Sequence, residues 1–158
     1  MNSPIRTIAL AALTLLAPYG LVQAEDMVLY ATQGYIEGLR TKDMMHMIDA
    51  NKDGKVSKDE WIAYQERIFV ALDKDKDGFL ESTEFFDAPS GTVIPYTTPS
   101  YSHGLMTKQM FGKIDANGDG KLSKDEFVSY QTKIFDMMDS HKMKELEVAD
   151  FIIQKPSN

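Results

Sequence analysis

Asp49-Ala50-Asn51-Lys52-Asp53-Gly54-Lys55-Val56-Ser57-Lys58-Asp59-Glu60 is the stretch from which the rest of the chain can be read. Oxygen-bearing side chains stand in its first, third, fifth, ninth and twelfth places. A chain that wraps a hard cation needs such a set, because the ion takes several oxygen ligands at flexible geometry. Asp49, Asn51 and Asp53 supply the first three. Gly54 permits the sharp turn that brings the chain back around the ion. Lys55 offers its backbone carbonyl, which leaves its side chain free to vary. Ser57 acts through a water. Glu60 is long enough to grip with both oxygens. Val56, in the eighth place, is apolar and suited to pairing with a second loop. An all-oxygen set of this spacing points to calcium.

The pattern recurs downstream. Asp73 to Glu84 places Asp73, Asp75 and Asp77 in the first, third and fifth positions, Gly78 at the turn, Phe79 as carbonyl donor, Glu81 in the ninth place and Glu84 at the close. Asp115 to Glu126 nearly copies the first stretch, with Asp115, Asn117, Asp119, Gly120, Lys121, Ser123 and Glu126. The alternative is that these acidic, glycine-containing turns merely cap helices on a solvated face. Three stretches in register, each flanked by helical apolar stripes, argue against it.

The register reflects an internal repeat. Residues 35–86 match 101–152 without a gap, with about half the positions identical. Tyr35, Gly38, Leu39, Thr41, Lys42 and Met44 recur as Tyr101, Gly104, Leu105, Thr107, Lys108 and Met110. Thr41 and Thr107 suit the N-caps of helices that run into loops one and three. From Lys58 to Leu72 the apolar residues Trp61, Ile62, Ile68, Phe69 and Leu72 mark one helical stripe, repeated by Phe127, Val128, Ile134, Phe135 and Met138.

On these loops the chain resembles EF-hand proteins, specifically the small exported EF-hand proteins of bacteria, over about residues 41–152. Asp115 to Ser123 is similar to the Asp-Ala-Asn-Gly-Asp-Gly-Lys-Leu-Ser loops frequent among them. The resemblance implies an all-α fold of helix–loop–helix repeats, here two tandem copies of an EF-hand pair, and calcium binding. It implies no particular partner. The organisation expected is a leader over 1–24, a first pair over 25–86, a linker over 87–102 and a second pair over 103–158. Pro89, Pro95 and Pro99 predict that the linker contains no regular helix, although Val93, Ile94, Tyr96 and Tyr101 could pin it to the surface.

The fourth loop, Asp139 to Asp150, departs from the pattern. Asp139, Leu146 and Glu147 keep the first, eighth and ninth places. His141 and Met143 replace oxygen ligands, Lys144 replaces the glycine, and Asp150 replaces the closing Glu one methylene short. The expectation is a loop that holds no metal at physiological calcium but still pairs through Leu146. With no second histidine or cysteine nearby, His141 reads as a surface residue rather than a transition-metal ligand.

Spacing predicts how the loops pair. Loops one and two begin 24 residues apart, as do loops three and four. The dozen or so residues between successive loops admit one helix, not two helices and a turn. Lys58 to Leu72 would be about 22 Å long at the α-helical rise. It must leave loop one and run into loop two, so the two loops lie at opposite ends of a rod. Pairing is therefore expected across the two copies, in one interlocked domain or, if the linker prevents that, in a dimer.

Composition bounds the rest. A net charge of −7 argues against nucleic acid or an anionic membrane as principal partner. The absence of cysteine excludes disulfides, thiolate catalysis and cysteine-ligated zinc. Met1 to Arg6 carries one positive charge, Thr7 to Val22 is mostly apolar without acids, and Val22-Gln23-Ala24 suits cleavage before Glu25. That is the layout of a secretory signal peptide and implies a periplasmic or secreted protein. A retained membrane anchor is disfavoured by Pro18, Gly20 and the limited apolar length. No Ser/His/Asp set or nucleotide loop is present and the paired carboxylates belong to loops, so no enzymatic activity is expected. Met44, Met45, Met47, Met110, Met137 and Met138 on the expected helices suit an adaptable binding surface or plain core packing. The function expected is that of a calcium sensor acting on a protein partner, with a structural or buffering calcium protein as the alternative.

Overall fold

In the computed structural model, residues 30–88 and 94–152 are described. The expected leader at 1–24, residues 25–29 of the first span, 89–93 of the linker and 153–158 lie outside the described residues. The helices run α1 Gln33–Leu39, α2 Lys42–Ile48, α3 Lys58–Leu72, α4 Ser82–Phe85, α5 Pro99–Leu105, α6 Lys108–Ile114, α7 Lys124–Met138 and α8 Val148–Phe151. Four two-residue strands interrupt them: β1 Val56–Ser57, β2 Phe79–Leu80, β3 Leu122–Ser123 and β4 Glu145–Leu146. Each element of the first half has a counterpart 66 residues on, from Gln33 and Pro99 to Ser82 and Val148.

Local chemistry sets the boundaries. The Thr41 and Thr107 hydroxyls accept the Met44 and Met110 amides, as N-caps do. Ser57 and Ser123 close capping boxes with Glu60 and Glu126 and so start the long helices. The long helices end at Asp73 and Asp139, whose N–H groups still donate to Phe69 and Phe135. The helix α3 therefore both leaves loop one and enters loop two, and α7 does the same for loops three and four.

Two sequence expectations need correction. The span 87–102 is not all linker, because α5 begins at Pro99. Proline stands there at the first helical position, where its missing N–H would have had no intrahelical partner and its fixed φ already suits a helix. Thr98 caps it by accepting the Tyr101 amide. Ile94 and Tyr101 are buried, so that segment is pinned by apolar contact. The buried stripe of α3 is Trp61, Tyr64, Gln65, Ile68, Phe69 and Leu72, with Ile62 only half-buried at its edge. Spacing by three and four residues brings Tyr64 and Gln65 inward and rotates Ile62 out.

The strands pair across the halves. Antiparallel β1 and β4 set Val56 against Leu146 and Ser57 against Glu145. Antiparallel β2 and β3 set Phe79 against Ser123 and Leu80 against Leu122. Loop one thus pairs with loop four and loop two with loop three, so the two loops that share a long helix within one copy are not partners, as the shared-helix spacing requires. Val56, Leu80, Leu122 and Leu146, all in the eighth place of their loops, are fully buried under these ladders.

The halves interlock reciprocally. On α3, Tyr64 donates its hydroxyl to the Tyr96 carbonyl at 2.9 Å, and Gln65 accepts from the Tyr101 hydroxyl at 3.2 Å. On α7, Tyr130 donates to the Tyr30 carbonyl at 2.7 Å, and Gln131 accepts from the Tyr35 hydroxyl. The Trp61 indole N–H reaches the Gln131 carbonyl at 2.9 Å, and the ring packs edge-on to Phe135. One apolar cluster contains residues of both halves.

Burial raises the phenol pKa values of Tyr35, Tyr64, Tyr101 and Tyr130 above the ordinary 10.0. A raised folded-state pKa means the folded protein holds these protons longer than the unfolded chain. The stabilisation is complete below pH 10.0 and is lost as pH rises above it. On alkaline titration, tyrosinate absorbance from these four residues is expected to rise together with loss of helical circular dichroism. Ionisation near the ordinary value with the helices intact would contradict this packing.

Candidate metal centre

Each loop begins where a helix ends. In loop one Asp49 follows α2, and its carboxylate receives the Lys52 amide at 2.7 Å and the Gly54 amide at 3.0 Å. Asn51 Oδ1 accepts from the Asp53 amide, and Asp53 Oδ1 accepts from the Lys55 amide. Glu60 reaches back from the first turn of α3. Its Oε1 takes the Ala50 and Asn51 amides at 3.0 Å, and its Oε2 takes the Ser57 amide and hydroxyl. One residue thereby serves the capping box and closes the loop. Gly54 has φ +85°, a left-handed turn that suits a residue without Cβ.

Loop three repeats the arrangement. Asp115 receives the Gly118 amide at 2.8 Å and the Gly120 amide at 3.0 Å. Asn117 and Asp119 accept from the amides two residues on. Glu126 takes the Asn117 and Ser123 amides and the Ser123 hydroxyl. Burial opposes the charge on Glu60 and Glu126, but these hydrogen bonds outweigh it and hold both carboxyls below the ordinary 4.5. The two closing groups are ionised and oriented by the backbone.

Loop two carries the densest charge. Carboxylate oxygens of Asp73, Asp75 and Glu84 lie within 4.8 Å of one another, and so do those of Asp75, Asp77 and Glu81. Two like charges at that distance repel by about 1 kcal/mol even in water, and by several-fold more near a protein surface. Asp73 Oδ1 is buried with no hydrogen-bond partner among the described residues. A buried anionic oxygen without a donor is costly. Convergent hard oxygens and an orphaned carboxylate oxygen fit a hard divalent cation. Phe79 carries the seventh-place carbonyl.

Loop four keeps the backbone of the others but not their ligands. Asp139 accepts the Met143 and Lys144 amides at 2.9 and 2.8 Å. Lys144 occupies φ +62° where the other three loops have glycine. The closing Asp150 is buried, takes the Glu147 amide at 2.9 Å, and receives the Ser140 hydroxyl at 3.2 Å. Met143 points to solvent, 59% exposed.

The predicted carboxylates of loop two converge on one another, whereas those of loops one and three are tied to the amides of their own loops. The structure also shows what sequence reading overlooked. The sequence assigns Lys55 and Lys121 to the seventh places of their loops and gives their side chains no role. The Lys121 ammonium lies 2.6 Å from Glu81 and 3.7 Å from Asp77 of loop two, and the Lys55 ammonium lies 2.8 Å from Glu145 and 3.7 Å from Glu147 of loop four. The strand register carries the signal: Leu122 opposite Leu80 sets Lys121 opposite Glu81. Hydrogen bonding to Lys121 lowers the Glu81 pKa and raises that of Lys121.

Comparison with known families places an EF-hand domain pair over residues 65–132 and an EF hand over 41–63. The domain-pair match takes in loops two and three, the two joined by β2 and β3. A plant relative, Calcium-binding protein CP1 of Arabidopsis thaliana, is 32% identical over 98 residues, which cover 53% of this chain. This chain spans 61% of that relative's length. Over residues 41–63 and 65–132 the chain matches EF-hand domains, and calcium is the ion it binds.

Proposed function

We propose that this is an exported, non-enzymatic protein that binds calcium at three loops and transmits occupancy to a protein partner. The ligands are Asp49, Asn51, Asp53, Lys55 O, Ser57 and Glu60 in loop one. In loop two they are Asp73, Asp75, Asp77, Phe79 O, Glu81 and Glu84, and in loop three Asp115, Asn117, Asp119, Lys121 O, Ser123 and Glu126. Loop four pairs with loop one and takes no calcium. Export rests on the leader-like stretch at 1–24.

The observation that carries a switching role is the position of the closing carboxylates. Glu60 and Glu126 sit in the first turns of α3 and α7, the helices that carry much of the core. An ion that draws either carboxylate inward pulls on a helix shared with the next loop, so occupancy reaches the core mechanically. A second reading, calcium as a structural ion, is favoured by the burial of Met44, Met45, Met110 and Met138. A groove lined by these methionines opens only if the interlocked halves rearrange.

Calcium at about one hundred times Kd adds about 2.7 kcal/mol of stability per site, so both readings give a melting temperature raised by more than about 10 °C with three sites. They differ in a hydrophobic dye. The switching reading expects a calcium-dependent rise in dye fluorescence. A raised melting temperature with unchanged fluorescence would leave structural calcium as the function.

A further inference from the structure

We propose that the ammonium group of Lys121, carried by loop three, is a tethered competitor that lowers the calcium affinity of loop two. The inference rests on loop two being a calcium site, as proposed above. Lys121 Nζ stands 2.6 Å from Glu81 Oε1 and 3.7 Å from Asp77 Oδ2. These carboxylates occupy the ninth and fifth places of loop two. It also lies 5.4 Å from the centre of the Phe79 ring, whose residue supplies the seventh-place carbonyl. The ammonium thus sits against three of the loop-two positions at once.

The backbone puts it there. In the antiparallel β2–β3 register Leu122 faces Leu80, so the preceding Lys121 faces Glu81. The Lys121 carbonyl belongs to loop three while its side chain crosses to loop two. Calcium approaching loop two meets a positive charge and must draw Glu81 away from a hydrogen-bonded partner. The lysine side chain is 47% exposed, so it can swing into solvent when displaced. The displacement lowers affinity without blocking the site.

The repeat supplies an internal control. Lys55 holds the equivalent place in loop one and faces loop four, where it contacts Glu145 at 2.8 Å and Glu147 at 3.7 Å. Its charge lies against the loop in which His141 and Met143 replace oxygen ligands. The same substitution at the two lysines should therefore act on loop two mainly at Lys121.

The test is a calcium titration followed by the amide resonances of Gly54, Gly78 and Gly120, which report loops one, two and three separately. Lys121→Met, which keeps the apolar stem, is expected to raise the affinity read at Gly78 by about three- to tenfold at low salt. The gain should shrink at high salt, where exposed charges are screened. Lys121→Arg keeps the charge, so its Gly78 midpoint should lie nearer the native chain's than that of Lys121→Met does. Lys55→Met should move the Gly78 transition far less than Lys121→Met does. A shift at Gly78 of less than about 1.5-fold in Lys121→Met, or an equal shift in Lys55→Met, overturns the inference. A Gly78 resonance unmoved by calcium in every chain would remove loop two as a calcium site, and the inference with it.

Discussion

Replacing Gly104 with alanine is expected to destabilise the protein by about 2–4 kcal/mol. The helices α1 and α5 cross with their backbones in contact. A Cβ on Gly104 would lie 2.5 Å from the Gly34 carbonyl oxygen and 2.6 Å from Tyr35 Cα. Those are backbone atoms, so no side chain can turn aside and the helices must separate. Separation would also loosen Tyr35 from Gln131 and Tyr101 from Gln65, which join the halves. Gly38→Ala should behave similarly, because its Cβ would stand 2.6 Å from Ser100 C and O. Gly112→Ala is the control. It lies in α6 with nothing within 4 Å of the added atom, so alanine should stabilise by up to about 1 kcal/mol. Urea denaturation of the three variants measures the difference. A Gly104→Ala chain as stable as the Gly112→Ala chain would mean that the helices do not cross this closely.

Glu126→Gln is expected to weaken calcium binding at loop three by about a hundredfold or more. Glutamine keeps the shape and can still serve the capping box with Ser123, so the start of α7 should survive. It loses the negative charge and the two-oxygen grip, which are what calcium requires of the closing residue. Asp150→Asn in loop four is the matching control and should leave calcium stoichiometry unchanged. Per-loop titration by the glycine amides checks both. A Glu126→Gln chain whose Gly120 transition stays near the native midpoint would contradict the assignment of the closing ligand.

The loops were legible because calcium chemistry constrains residue type place by place, and the turn requires glycine. The cross-pairing was legible from chain length alone, since a dozen residues between loops leave room for one shared helix. Three prolines by count predict no helix in 87–102, yet one starts at Pro99 because proline at a first helical position costs almost nothing. The apolar stripe of α3 omits Tyr64 and Gln65, which the core admits because the Tyr64 hydroxyl donates to the Tyr96 carbonyl and Gln65 accepts from the Tyr101 hydroxyl. The reach of Lys121 into loop two depends on strand register between segments about 40 residues apart, and no local pattern encodes that. The close crossing at Gly38 and Gly104 was invisible because a glycine does not name the backbone that it admits.

A calorimetric calcium titration of residues 25–158 with magnesium present decides how many loops hold the ion. Three loops carry the full ligand set and the fourth lacks two oxygen ligands and the turn glycine, so saturation is expected at three calcium ions per chain. Saturation at four would show that loop four binds despite Lys144 and Met143. No heat from a protein confirmed free of metal would mean that the loops do not bind calcium.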